Sequence, residues 1–176
     1  KADLDLVNEE SIRPTIAKEM EQRFQQASIP LKNTKKDKIL IVDDEVDVLA
    51  FLTEVFAVNY QVITVDAGQK AIDVAKSEMP DLIISDVMMP EMDGFELCAY
   101  TKSDFLLSHI PVILLTALNT TEHEIEGLKT GADAYISKPF PMNLLKATVQ
   151  NLLNSRQQLK KAFLSTSLDK VEKLDK

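Results

Sequence analysis

The sequence contains no tryptophan, one cysteine and four glycines, and its 28 acidic residues outnumber 20 lysines and arginines. The single cysteine, Cys98, excludes an intramolecular disulfide, and nothing points to an oxidising compartment. The two histidines, His109 and His123, have no soft ligands near them and do not make a zinc site. A net charge of −8 argues against direct nucleic-acid binding, which relies on clustered lysine and arginine. The one basic patch, residues 32–38, is short and falls in an expected linker. No apolar run approaches the length of a membrane span, and no stretch with the make-up of a signal peptide opens the sequence. The first residue is Lys1, not methionine, and the expectation is a piece of a larger protein.

What the chain does have is 45% hydrophobic residues over 176 positions, enough for an ordinary core without disulfide or metal staples. Residues 1–37 are polar. Within them residues 11–27 are expected to be helical, because Ile12, Ile16, Met20 and Phe24 recur at four-residue steps and Pro14 is tolerated in a first turn. Residues 28–37, with Pro30 and Asn33, read as a linker. From Lys38 onward strand and helix signals alternate. Residues 38–42 are a continuous apolar run, as in a strand buried on both faces. Val48, Leu49, Leu52, Val55 and Phe56 mark a helical stripe. Strands are expected over 61–65, 82–85, 111–115 and 134–137, and helices over 67–76, 95–103 and 122–129, the last closed by Thr130-Gly131. A long final helix starts near Pro141. Five βα units with right-handed crossovers predict an α/β fold, a doubly wound parallel sheet covered by helices on both faces.

Three zones follow: an N-terminal helical segment and linker over 1–37, a domain over 38–155, and a helical connector toward an output module over 156–176. In the last helix Leu145, Leu152 and Leu159 are seven apart, and so are Val149, Arg156 and Phe163. That spacing suits a heptad seam broken by one arginine. Two readings of it stand: an amphipathic helix folding back on the domain, or a rigid connector and dimer seam.

In open parallel sheets ligands bind beyond the carboxyl ends of the strands. Asp43 and Asp44 follow the first strand, Asp86 the third, Thr116 the fourth and Lys138 the fifth. Three carboxylates, a hydroxyl and an ammonium are therefore expected at one edge. Two carboxylates 4 Å apart repel by about 4 kcal/mol at an effective dielectric near 20, so positive charge must offset them. Lys138 supplies one charge and a hard divalent cation the rest. Mg²⁺ binds through one or two carboxylates and keeps several waters, and the Cys or His donors favoured by a transition metal are missing. A carboxylate beside such an ion can attack a phosphoryl group, while metal, hydroxyl and lysine share its equatorial oxygens. Asp86, alone at the end of the central strand, is the expected nucleophile.

The stretches Ile39-Leu-Ile-Val-Asp-Asp-Glu45, Ser85-Asp-Val-Met-Met-Pro90 with Met92-Asp-Gly94, Leu115-Thr-Ala117 and Tyr135-Ile-Ser-Lys-Pro-Phe140 resemble the signature blocks of response-regulator receiver domains, over about residues 37–155. The resemblance implies a flavodoxin-like fold with strand order 2-1-3-4-5. It implies that Asp86 accepts phosphate from the phosphohistidine of a histidine kinase, in cis or in trans. It assigns Mg²⁺ to Asp44, Asp86 and the backbone carbonyl of Met88, with Asp43 acting through water. Thr116 and Lys138 would hold phosphoryl oxygens, the Lys138–Pro139 bond would be cis, and Thr116 with Tyr135 would form a switch. Met88 and Leu118 occupy the positions that modulate phosphoryl lifetime, and since neither orients a water, slow self-dephosphorylation is expected. The stretches His109-Ile-Pro-Val-Ile-Leu-Leu-Thr-Ala117, Glu126-Gly-Leu128 and Gly131-Ala-Asp-Ala-Tyr135, with the long last helix, resemble the receivers of hybrid two-component regulators, in which a sensor, a histidine kinase, a receiver and an AraC-type DNA-binding domain share one chain. That likeness implies a cytoplasmic receiver, a parent anchored in the inner membrane, and a homodimer through the 122–129 helix, the fifth strand and the last helix. It implies no direct nucleic-acid or membrane contact by this segment.

Other readings fit less well. A haloacid-dehalogenase-type hydrolase needs a second Asp two residues after the nucleophile, where this sequence has Met88. A flavodoxin proper needs a Ser/Thr/Gly-rich loop after the first strand, where Asp43-Asp44-Glu45 would repel a flavin phosphate. A degenerate receiver, acting only as an unphosphorylated interaction module, usually lacks an acid or the lysine, and here all five groups are present. A histidine kinase is excluded for this segment, because the residues after His123 lack the expected box and no glycine-rich ATP lid follows.

Overall fold

The structure of the protein, a computed structural model, describes residues 35–117 and 129–172 together with Ile125 and Gly127, with side chains described as far as Phe163. The expected helix over 11–27, Leu118 and His123 lie outside the described residues.

Five strands form one parallel sheet: β1 (Lys38–Val42), β2 (Gln61–Val65), β3 (Leu82–Asp86), β4 (Val112–Thr116) and β5 (Ala134–Ser137). Their order is β2-β1-β3-β4-β5, as the resemblance implied. Four helices are described: α1 (Val46–Phe56), α2 (Gly68–Glu78), α3 (Gly94–Ser103) and α4 (Met142–Glu172). Of the helix expected over 122–129, the described residues Ile125, Gly127 and Lys129 are helical. Gly131 follows with φ of 81°, the left-handed closure that glycine adopts without strain.

Side chains alternate across the pleat, so each apolar strand feeds two cores. Leu40, Val42, Ile83, Val112 and Leu114 face α2 and α3, meeting Ala71, Ile72, Phe95, Leu97 and Cys98. Ile39, Ile41, Leu82, Ile84, Ile113 and Leu115 face α1 and α4, meeting Leu49, Leu52, Phe56, Leu145, Val149 and Leu153. This explains why residues 38–42 read as a continuous apolar run.

The structure moves several expected boundaries by one or two residues. β3 extends to Asp86 and β4 runs from Val112 to Thr116, so both functional residues end strands and do not begin loops. α3 begins at Gly94 because Asp93 caps it: the Asp93 carboxylate accepts the Glu96 N–H at 2.8 Å and the Glu96 carboxylate accepts the Asp93 N–H at 3.0 Å.

The heptad seam is only partly what α4 uses. Leu145 and Val149 are fully buried, but the next buried position is Leu153, with Leu152 at the margin. A 3.6-residue turn drifts off a seven-residue repeat, and packing on a sheet follows the former. Arg156, the apparent break, pairs with Asp81 at 3.0 Å across the entrance to β3. Asp81 also accepts the Lys38 N–H at 2.9 Å, so one carboxylate joins the starts of β1 and β3 to α4. Beyond that point Leu159 and Phe163 are 61% and 73% exposed. Among the described residues no helix is long and apolar enough to cross a membrane.

Candidate functional site

The ladder fixes the ends of the strands. Val42 lies opposite Ser85, Asp86 opposite Leu115, and Thr116 opposite Ser137. Asp43 leaves β1 with its N–H still donating to the Val65 carbonyl, and the Lys138 N–H donates to the Thr116 carbonyl at 2.6 Å. The Lys138–Pro139 peptide is cis, as expected. Rigid backbone thus carries Asp43, Asp86, Thr116 and Lys138 to one edge.

Asp43, Asp86 and Thr116 are buried, at 1%, 7% and 0% exposure. Polar groups in such a setting need partners. Lys138 Nζ donates to Asp86 Oδ1 at 2.7 Å and lies 3.5 Å from Asp43 Oδ2. Asp43 Oδ1 accepts the Glu45 N–H at 2.9 Å. At 3.5 Å the ammonium is an electrostatic neighbour of Asp43 and not a hydrogen-bond donor to it. Asp43 Oδ2 is therefore a buried acceptor with no donor among the described residues.

The charges respond accordingly. Burial, the largest influence on Asp43, pushes its carboxyl above the ordinary value; the Glu45 N–H and Lys138 oppose this, and the charge of Asp86 adds to it. Burial pulls Lys138 down, but its hydrogen bond to Asp86 and the charges of Asp86 and Asp43 outweigh that and hold the ammonium above its ordinary value. One cation serves two buried carboxylates. Asp44 stands exposed beside them, and Met88, two residues beyond Asp86, is 59% exposed.

A hard cation suits this donor set. All the side-chain donors are oxygens, and among the described residues Asp43 Oδ2 has no hydrogen-bond donor. Among the described residues no group of three Asp, Glu, His or Cys side chains forms a ready-made cage. An ion that keeps most of its waters needs none.

Tyr135 pairs with Leu114 in the β4–β5 register, and Leu114 and Thr116 share a face of β4. Tyr135 and Thr116 therefore lie on the same side of the sheet, where the Tyr135 ring packs on Phe95 at 6.3 Å between centroids. Two contributors escaped the sequence reading. The Glu45 N–H holds Asp43, and Gly94 approaches the Asp86 backbone so closely that a Cβ there would lie 2.3 Å from the Asp86 carbonyl oxygen. Met92-Asp-Gly94 stood among the signature blocks, but nothing in the sequence marked that approach.

Residues 39–150 match the family model for the response regulator receiver domain. The chain belongs to this family. Over 132 residues it is 42% identical to histidine kinase P4 of Formosa agariphila, covering 74% of this chain and 10% of that protein. Over 131 residues it is 40% identical to the probable transcriptional regulator ycf27 of Guillardia theta, covering 74% of this chain and 50% of that one. The chain thus spans a tenth to a half of the length of these relatives. Among solved structures, the receiver domain of a signal transduction histidine kinase from Syntrophus aciditrophicus is 40% identical with a TM-score of 0.64, covering 68% of this chain and 91% of that one. A receiver domain is a signalling module and not an enzyme in the ordinary sense, and its partners are histidine kinases or phosphotransfer proteins.

Proposed function

We propose that this receiver domain accepts a phosphoryl group on Asp86 from the phosphohistidine of a histidine kinase. The observation that carries the proposal is the buried Asp43–Lys138–Asp86 arrangement, in which one ammonium is shared by two carboxylates and one carboxylate oxygen lacks a donor. A carboxylate oxygen of Asp86 attacks phosphorus, the P–N bond breaks, and its electron pair returns to the imidazole nitrogen. Asp43, Asp44, Asp86 and the Met88 carbonyl would hold Mg²⁺, which when bound supplies charge neutralisation for the transferring group. Lys138 then exchanges its contact with the Asp86 carboxylate for a phosphoryl oxygen, and the Thr116 hydroxyl binds another.

In this reading Thr116 moves toward the phosphoryl group, Tyr135 follows on the same face of the sheet, and the signal leaves by the face of the expected 122–129 helix and β5. That face, together with α4, would carry a homodimer contact. With Met88 two residues after Asp86 and Leu118 two after Thr116 in sequence, neither able to orient a water, the acyl phosphate decays slowly. The names of two relatives, a histidine kinase and a transcriptional regulator, support a parent that joins a kinase to a transcriptional output. An AraC-type output domain and a cytoplasmic location belong to the same proposal.

The test is intact mass after incubation with acetyl phosphate. The native protein gains one phosphoryl group in the presence of Mg²⁺ and none with the ion chelated. A phosphoryl gain by Asp86→Asn would overturn the assignment of the nucleophile.

A further inference from the structure

We propose that Phe95 and Gly127 form a slot that positions the Tyr135 ring, and that the ring and the helical stretch through Gly127 compete for one space. The inference deepens the reading of Tyr135 as a switch and rests on it for its functional meaning.

Phe95 is buried at the start of α3 and forms one wall. Its ring lies 6.3 Å from that of Tyr135 with the planes 6° apart. Gly127 forms the other. A Cβ at residue 127 would lie 2.7 Å from Cδ2 and 3.0 Å from Cε2 of Tyr135, and 3.5 Å from Cε1 of Phe95. Carbon atoms rest about 3.5–4.0 Å apart, so a side chain at residue 127 must displace either the ring or the helix.

The helix is not free to yield. Its end is held along one face of α3 by residues three and four apart. Beside Phe95 and Gly127, the Cys98 thiol donates to the Thr130 carbonyl at 3.6 Å. The Lys102 side chain lies where a Cβ on Gly131 would meet it at 3.4 Å. The Thr130 hydroxyl donates to the Gly127 carbonyl at 2.7 Å. With Phe95, Cys98 and Lys102 bracing Gly127, Thr130 and Gly131, the ring has to move. Glycine is a poor residue inside a helix, and here its lack of a side chain admits the ring.

The slot also touches the phosphorylation site. Phe95 follows Gly94, which is seated against the Asp86 carbonyl. A displacement of the β3–α3 connection therefore moves the wall on which Tyr135 rests. Phe95 and Gly127 are positioning residues, acting through Tyr135.

Thermal unfolding of four proteins tests the slot. Gly127→Ala lowers the melting temperature when Tyr135 is present. In a Tyr135→Ala background only the better helix propensity of alanine remains, and the same substitution raises it. A change of the same sign and size in both backgrounds overturns the proposal. A second measurement covers variants that fold poorly. In the full chain labelled with 3-fluorotyrosine, the ¹⁹F resonance assigned to Tyr135 shifts in Gly127→Ala, while those of Tyr60 and Tyr100 stay in place. An unmoved Tyr135 resonance overturns the slot. Adding acetyl phosphate and Mg²⁺ to the labelled native protein probes the switch separately. A silent Tyr135 resonance on a fully phosphorylated protein removes the switch and leaves the slot standing.

Discussion

Replacing Lys138 by methionine removes the one cation that two buried carboxylates share. At an effective dielectric near 20, the contact with Asp86 at 2.7 Å is worth roughly 6 kcal/mol of gross attraction and that with Asp43 at 3.5 Å roughly 5. Most of this is offset by the cost of burying the ammonium. The stranding of buried partners typically costs about 3–5 kcal/mol. The Lys138 side chain is 27% exposed, so water reaches the gap and the lower end applies, about 3 kcal/mol at neutral pH.

The pH dependence gives the test its sign. Asp43 is already held above its ordinary value by burial, and without the ammonium it rises further. An acid whose folded pKa is raised contributes stability that is fully present below its unfolded pKa and lost as pH rises through the folded one. The deficit of Lys138→Met is therefore largest near pH 7 and shrinks toward about pH 4 as Asp43 takes up a proton. Mg²⁺ supplies the missing charge, so it stabilises the variant more than the native protein at the same concentration. The assay is urea unfolding followed by circular dichroism at several pH values, with and without Mg²⁺. A deficit independent of pH, or equal stabilisation of both proteins by Mg²⁺, would refute the charge account.

Three further outcomes follow from the same structure. Asp43→Asn raises the melting temperature of the metal-free domain at neutral pH, because the ionised carboxylate is the disfavoured form there, and it weakens the Mg²⁺ dependence of phosphorylation; calorimetry and intact mass read the two effects. Glu91 has φ of 66°, a region that costs a non-glycine residue about 1–2 kcal/mol, so Glu91→Gly stabilises by up to about 1 kcal/mol after the added chain entropy of glycine, seen as a higher urea midpoint. Arg156→Leu removes the pair with Asp81 and costs roughly 1.5–3 kcal/mol, with faster amide exchange in α4 around residues 150–157 than around 143–149.

The parts of this molecule that were legible in the sequence are those written locally. Strand and helix placement followed from short apolar runs and stripes of period 3.6, because burial on both faces of a parallel sheet leaves that pattern wherever it occurs, whereas the strand order came only with the family resemblance. Asp43 and Thr116 were legible because each follows directly on such a run, and Asp86 and Lys138 because a single serine separates each from one. The less legible features join distant segments. Arg156 looked like a break in a seam, since Asp81, its partner, lies 75 residues away and carries no local mark. Leu153 replaced Leu152 as the buried position because a helix on a sheet does not keep the seven-residue period. Gly127 passed as an ordinary residue of a helical stretch, since the ring it accommodates comes from the next strand.

The same distinction bears on how the site works. The strand ends deliver the acids and the lysine with little freedom, so the device cannot respond by rearranging β1, β3 and β5. What can change is the allocation of one ammonium. In the unphosphorylated protein Lys138 leans toward Asp86, at 2.7 Å against 3.5 Å for Asp43. In the proposed function a phosphoryl group on Asp86 would place added negative charge farther out, where the ammonium and the Thr116 hydroxyl would be drawn to it and not to the carboxylate. In the same proposal a shift of the Thr116 side chain on one face of β4 would open or close space beside Leu114, the residue that Tyr135 opposes across the ladder. The rigid sheet thus confines the response to side chains on the Phe95 face. On the proposed function the output would be read on that face or along α4, where Leu159 and Phe163 stand exposed beyond Arg156.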